Sequence, residues 1–92
     1  EANAPAILAN AESKVILSGC VFKAHSQSLE NVIKMENTAS VSITGCVFYN
    51  GQSSARIVSG GFVLGDLVIA TSYRSFGAAW ASGPFVGIGN IS

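Results

Sequence analysis

The chain has 92 residues, enough for one small domain, and five basic and five acidic side chains leave it without net charge. A sparsely charged, neutral surface does not attract nucleic acid or an anionic membrane, so we expect neither as a partner. The apolar runs are shorter than the roughly 20 residues of a membrane-spanning helix. Two cysteines are too few for a disulfide scaffold.

One pattern occurs twice in the chain, first from Val15 and again from Val41, which defines a 26-residue step. The first copy (VILSGCVF) ends at Phe22 and the second (VSITGCVF) at Phe48, and upstream Ile7 aligns with Ile33. One further step of 26 residues aligns LVIAT, which starts at Leu67, with VSITG, which starts at Val41. In this third copy Thr-Ser-Tyr-Arg replaces Gly-Cys-Val-Phe. A fixed period of this length is typical of stacked-repeat folds.

The repeat alternates apolar and polar residues with period two, which predicts short strands that face one side inward. Glycine at 19 and 45 permits a sharp bend between two strands. We therefore predict an all-β fold, a parallel β-helix of about three coils over residues 1–74. A non-repeating, β-rich C-terminal segment follows at residues 75–92, as a cap or a trimerisation element.

In-register coils stack like residues on one another, about 4.8 Å apart. We predict two buried free thiols, since a disulfide needs Cβ atoms about 3.8 Å apart. The same step places Glu30 beside Arg56 and aligns Lys14, Ser40 and Asp66 in a second column. The predicted core columns are Val15/Val41/Leu67, Leu17/Ile43/Ile69, Cys20/Cys46 and Phe22/Phe48.

A short helix is the alternative for one segment of the second coil. Leu29, Val32, Ile33 and Glu36 have helical spacing, and Ser28 is a suitable cap. The repeat frame favours a strand over the same residues.

The segments KVILSGCVFKA and SVSITGCVFYNG resemble the coil repeat of right-handed parallel β-helix proteins of the pectin-lyase-like group, over about residues 6–74. This group includes pectate lyases, polygalacturonases and bacteriophage tailspikes. In outline the chain is most similar to the C-terminal part of a tailspike or tail fibre, where the coils precede a segment that holds three chains together. The resemblance implies a right-handed helix, a homotrimer, a bacterial surface polysaccharide as ligand and a place in the virion tail.

Two other interpretations fit the same repeat. One is the terminal coils of a polysaccharide lyase or glycoside hydrolase whose catalytic residues lie upstream, in a secreted protein. The other is a bacterial cell-surface adhesin. In each case we expect the chain, which starts at Glu1 rather than methionine, to be a piece of a longer protein.

Catalytic candidates are few. Glycoside hydrolysis needs two carboxyl groups about 5 to 9.5 Å apart. Glu12 and Glu36, whose separation is two positions short of a full step, form the only candidate pair on adjacent coils. A nucleophilic triad is not expected, because the segment Gly51-Gln-Ser-Ser-Ala only approaches the Gly-x-Ser-x-Gly motif and His25 fits a solvent-facing turn. We expect no metal site and no cofactor.

Aromatic side chains are the candidates for sugar contact, because a ring can stack on the apolar face of a sugar. Phe48 alternates inward, so Tyr49 points outward and is the first candidate. Tyr73 is the second. Trp80 is the third, although an anchor of the tail against the last coil or a sister chain is the interpretation that we favour for it.

Overall fold

The computed structural model describes residues 6–23, 31–49, 56–60, 65–74 and 79–92, which form eleven strands and, within these ranges, no helix. The described chain is all-β, as predicted. The strands are β1 (Ile7–Ala9), β2 (Lys14–Ser18), β3 (Val21–Lys23), β4 (Asn31–Met35), β5 (Ser40–Thr44), β6 (Val47–Tyr49), β7 (Arg56–Gly60), β8 (Asp66–Ala70), β9 (Tyr73–Arg74), β10 (Ala79–Ala81) and β11 (Val86–Ile88).

The strands form three sheets, and each pair of neighbouring strands is parallel. Sheet A has the order β1-β4-β7-β10, sheet B the order β11-β8-β5-β2, and sheet C the order β3-β6-β9. Along the chain, successive strands therefore lie in sheets A, B and C in turn, and every third strand returns to the same sheet. This cyclic order is compatible with a β-helix. We call the strand sets β1–β3, β4–β6 and β7–β9 the first, second and third coil.

Most neighbouring strands keep the 26-residue step. Val15 pairs with Val41 and Val41 with Leu67, one full step in each case. Sheet A departs from this step between β4 and β7, where Asn31 pairs with Arg56, one residue short of it. The register partner of Arg56 is thus Asn31 rather than Glu30, and the predicted Glu30–Arg56 charge pair stays a prediction because Glu30 lies outside the described residues.

The change of step has a local cause in the connections. Six residues join β6 to β7, whereas seven join β3 to β4. The next connection compensates, because five residues join β7 to β8 where four join β4 to β5. As a result, Val58 rather than Ser59 pairs with Ile33 and keeps an apolar side chain in the core.

The core lies between the three sheets and is built from the inward residues of successive coils. The members of the predicted columns in the second and third coils are at most 3% exposed, whereas those of the first coil are half-buried. The buried members are Val41, Ile43, Cys46, Phe48, Leu67 and Ile69, and the half-buried members are Val15, Leu17, Cys20 and Phe22.

A left-handed residue follows each strand of sheet B in the first three coils. Gly19 and Gly45 have φ angles of 65° and 63°, and Thr71, one further coil along, has a φ of 47°. The bend thus persists in the third coil after the glycine has been lost. Thr71 is strained there, because a β-branched residue rarely adopts positive φ.

The helical alternative for the second coil is wrong where the chain is described. Residues Asn31–Met35 form strand β4, in which Ile33 and Met35 are buried and Lys34 is exposed. The period-two pattern prevails because β4 pairs with β1 on one side and β7 on the other.

Strand stacking continues beyond Arg74, but with a shorter step. Strand β10 joins sheet A, where Ala79 pairs with Arg56, three residues short of the 26-residue step. Strand β11 joins sheet B, where Val86 pairs with Val68, eight residues short of it. The C-terminal segment therefore adds a narrower layer to two of the sheets.

Candidate functional site

The outer face of sheet C carries two of the aromatic residues predicted to contact sugar. Tyr49 is 38% exposed and Tyr73 is 49% exposed, whereas Phe48 beside Tyr49 is fully buried. Val47 pairs with Tyr73, so the two tyrosines lie on adjacent strands and two positions apart. Strand spacing and rise then put their Cα atoms about 8 Å apart.

Lysine and valine side chains complete this outer face. Lys23 pairs with Tyr49 on the neighbouring strand, and Val21, two residues before Lys23, is 66% exposed. A phenol ring offers an apolar face together with a hydroxyl that both donates and accepts hydrogen bonds, and the ammonium group adds three donors. We name Val21, Lys23, Val47, Tyr49 and Tyr73 the tyrosine face.

Three aromatic rings support the tyrosine face from inside. The rings of Phe22 and Phe48 stack with centroids 4.9 Å apart and an interplanar angle of 6°. Trp80 meets Phe48 edge to face at 5.3 Å and is only 6% exposed. Because its ring is buried, Trp80 anchors β10 to the core and is not part of an outer surface that could stack on sugar.

A groove of about 520 Å³ lies over sheet B. Its floor includes the column Lys14, Ser40 and Asp66, which pair in register on β2, β5 and β8. The segment Pro-Phe-Val that leads into β11 forms part of its lining, and Phe85 is 39% exposed. Charged groups of both signs, a hydroxyl and an aromatic ring therefore line one depression.

The sequence pattern predicted the column on the floor of this groove but not the segment above it. A full repeat step would have placed Ser92 next to Asp66, whereas the pairing of β11 with β8 brings Pro84 there. The alternation Val-Gly-Ile from Val86 indicated a strand, but no signal in the sequence specified its register.

Glu12 and Glu36 lie in equivalent turns of consecutive coils. The backbone N–H of Glu12 donates to Thr38 Oγ1 at 3.0 Å, and the N–H of Glu36 donates to the carbonyl of Ala9 at 2.8 Å. The register thus places Glu12 beside Thr38, two positions from Glu36. Glu12 is exposed, so its surroundings resemble those of an ordinary surface carboxylate.

The two cysteines are free and belong to one column. Cys46 is buried, with its Sγ 3.6 Å from the carbonyl oxygen of Leu17, and burial raises the pKa of its thiol. Cys20 is only half-buried, contrary to the prediction of two buried thiols, because it belongs to the first coil at the edge of the stack. Ser72 continues the column and accepts the N–H of Cys46 at 3.2 Å.

The remaining catalytic and metal-ligating candidates give no site in the described chain. His25 and the segment 51–55 lie outside the described residues. Within the described ranges, no three His, Cys, Asp or Glu side chains form a group that would hold a metal ion. The same ranges contain no helix of the length and hydropathy needed to cross a membrane.

Comparison with known protein families, with curated proteins and with solved structures finds no match to this chain. The resemblance to the pectin-lyase-like coil repeat therefore rests on the residue pattern alone.

Proposed function

We propose that this chain is a right-handed parallel β-helix module, similar to the C-terminal part of a bacteriophage tailspike, that contacts a bacterial surface polysaccharide. The cyclic order of the three sheets and the 26-residue step in register support a β-helix. Crossover connections between parallel strands of one sheet are right-handed in about 98% of cases, which supports the right hand.

The observation that carries the carbohydrate proposal is the pair of exposed tyrosines on the tyrosine face. Tyr49 and Tyr73 lie on adjacent strands of a sheet whose inner side is held by stacked aromatic rings. The stacked rings lie beneath β3 and β6, so the backbone that carries Tyr49 is packed before a ligand arrives, which reduces the entropy lost on binding. Their spacing lets adjoining rings of one saccharide chain contact both side chains.

A binding assay tests this proposal. We expect the chain to bind at least one member of a panel of purified bacterial lipopolysaccharides and capsular polysaccharides in biolayer interferometry. Replacing Tyr49 or Tyr73 with Ala should weaken that binding about tenfold, which corresponds to about 1.4 kcal/mol. Ile16→Ala, on the outer face of sheet B and 67% exposed, is the matched control and should leave the affinity unchanged.

Two results would contradict the carbohydrate proposal. The first is an absence of binding across the panel, and the second is a Tyr49→Ala, Tyr73→Ala double variant that binds as well as the original chain.

The proposed setting is a homotrimer at the virion tail. Exposed apolar side chains on β11, at the edge of sheet B opposite to β2, support contact between chains, since Val86 and Ile88 are 58% and 54% exposed. Sedimentation equilibrium should give a mass near three times 9.4 kDa at micromolar concentration. A monomer at every concentration would contradict the trimer. The carbohydrate proposal would still be decided by the binding assay.

A further inference from the structure

Among the described residues, the first coil forms one end of the stack, and its core columns are only half-buried there. Strands β1, β2 and β3 lie at the edges of sheets A, B and C. Val15 and Phe22 are half-buried, whereas Val41 and Phe48, the next residues of the same columns, are 2% and 0% exposed. Ala9 is the one fully buried core residue in the described part of this coil. An edge strand also presents unpaired N–H and C=O groups.

At the opposite end of the stack the chain covers its own core, with Leu67, Ile69 and Trp80 at most 6% exposed, although β10 and β11 are also edge strands of sheets A and B. The number of residues between paired positions falls below 26 where β10 pairs with β7 in sheet A, and falls further where β11 pairs with β8 in sheet B. The last layer is therefore narrower than the coils before it. The outer edge of β9 is occupied as well, because Ser92 donates its N–H to the carbonyl of Ser72 and accepts the N–H of Arg74, both at 3.1 Å. Trp80 covers Phe48 from this side.

We propose that the open end binds a further coil of three parallel strands, stacked in register on β1, β2 and β3. The partner would carry aliphatic residues over Val15 and Leu17 and an aromatic ring over Phe22. Every strand pairing in the described structure is parallel, and the Phe22 ring already lies at 6° to its neighbour, so a coil of this kind continues both the sheets and the columns.

The geometry disfavours a second copy of this chain as the partner. A copy that approached with its own first coil would present antiparallel strands. A copy that approached with its last layer would present the shortened steps of β10 and β11 and a β9 edge already paired with Ser92. This inference rests on strand stacking and is independent of carbohydrate binding.

An extended chain tests the inference directly. A copy of residues 27–52 fused immediately before Glu1 preserves the 26-residue step, so the added counterparts of Val41, Ile43 and Phe48 fall over Val15, Leu17 and Phe22. The matched control carries the same extension with those three counterparts replaced by Ser. Hydrogen exchange of the β2 amides is measured in both chains.

We expect the β2 amides to exchange at least about tenfold more slowly in the extended chain than in the serine control, because β2 moves from an edge to the interior of its sheet. Equal exchange rates in the two extended chains would overturn the inference. A second measurement covers the case in which the extended chain does not fold. A synthetic peptide of residues 27–52 is added to the original chain, and amide NMR shifts are followed.

Shifts confined to β1, β2 and β3, and absent with the serine-substituted peptide, support the open end as the binding surface. Shifts at β10 and β11, or equal shifts with both peptides, would overturn it. The remaining possibility is that a second copy of this chain binds the open end. Sedimentation of the original chain tests it, because a dimer whose contacts protect β2 would identify a second copy as the partner and would contradict the proposal.

Discussion

Within one core column, substitution by alanine should lower the free energy of unfolding more in the second coil than in the first. Ile43 is fully buried between Leu17 on one side and Ile69 on the other. Replacing it with Ala removes three carbon atoms from the core, each worth about 0.8 kcal/mol, and leaves a cavity. The expected loss in the free energy of unfolding is about 2 to 5 kcal/mol.

Two variants of strand β2 provide matched comparisons. Leu17 occupies the same column as Ile43 but is half-buried, so Leu17→Ala should cost about 1 to 2 kcal/mol because less apolar area returns to water. Ile16 is 67% exposed on the outer face, and Ile16→Ala should change stability by less than about 0.5 kcal/mol.

Urea denaturation measures all three variants, with the fluorescence of the sole tryptophan, Trp80, as the signal. A domain of this length has a total stability of about 5 to 14 kcal/mol, so Ile43→Ala should shift the midpoint by a large fraction of its value. The column assignment is refuted if Ile43→Ala costs no more than Leu17→Ala, or if Ile16→Ala is as damaging as either.

Three further predictions concern the bend, the buried thiol and the tryptophan. Left-handed φ costs residues with a Cβ about 1 to 2 kcal/mol, so in urea titration Thr71→Gly should stabilise the fold by about 0.5 to 1 kcal/mol and Gly45→Thr should destabilise it. Changes of the opposite sign would contradict the strain at Thr71. Burial raises the pKa of Cys46, so its contribution to stability is fully present below the ordinary thiol pKa of 9.0 and is lost as pH rises through the folded value. Cys46→Ala should flatten this decline in urea titrations at increasing pH, and a decline unchanged by Cys46→Ala would contradict the cause. Trp80→Phe should lower the free energy of unfolding by less than about 1.5 kcal/mol and Trp80→Ala by about 3 to 5 kcal/mol, because the indole Nε1 has no hydrogen-bond partner among the described residues and the ring acts by packing. Equal losses for the two variants in thermal or chemical unfolding would argue against a packing role.

The candidate site was predictable only where it follows strand alternation. Tyr49 and Phe48 are neighbours on one short strand, so opposite orientations follow from the period of two. The groove over sheet B was not predictable in the same way. It depends on Phe85, which reaches sheet B because β11 returns before a full repeat step is complete.

The sequence by itself determined the strands of the repeat, the 26-residue step and the membership of the predicted core columns. It did so because in-register stacking places like residues on like, and a duplicated VxIxGCVF pattern therefore encodes its own neighbours. The tertiary structure alone decided the one-residue change of step at β7, the return of the tail to sheets A and B, and the contrast between half-buried core columns in the first coil and covered ones at the other end. These features depend on the lengths of the connections and on where the tail folds back, and neither leaves a periodic signal in the chain.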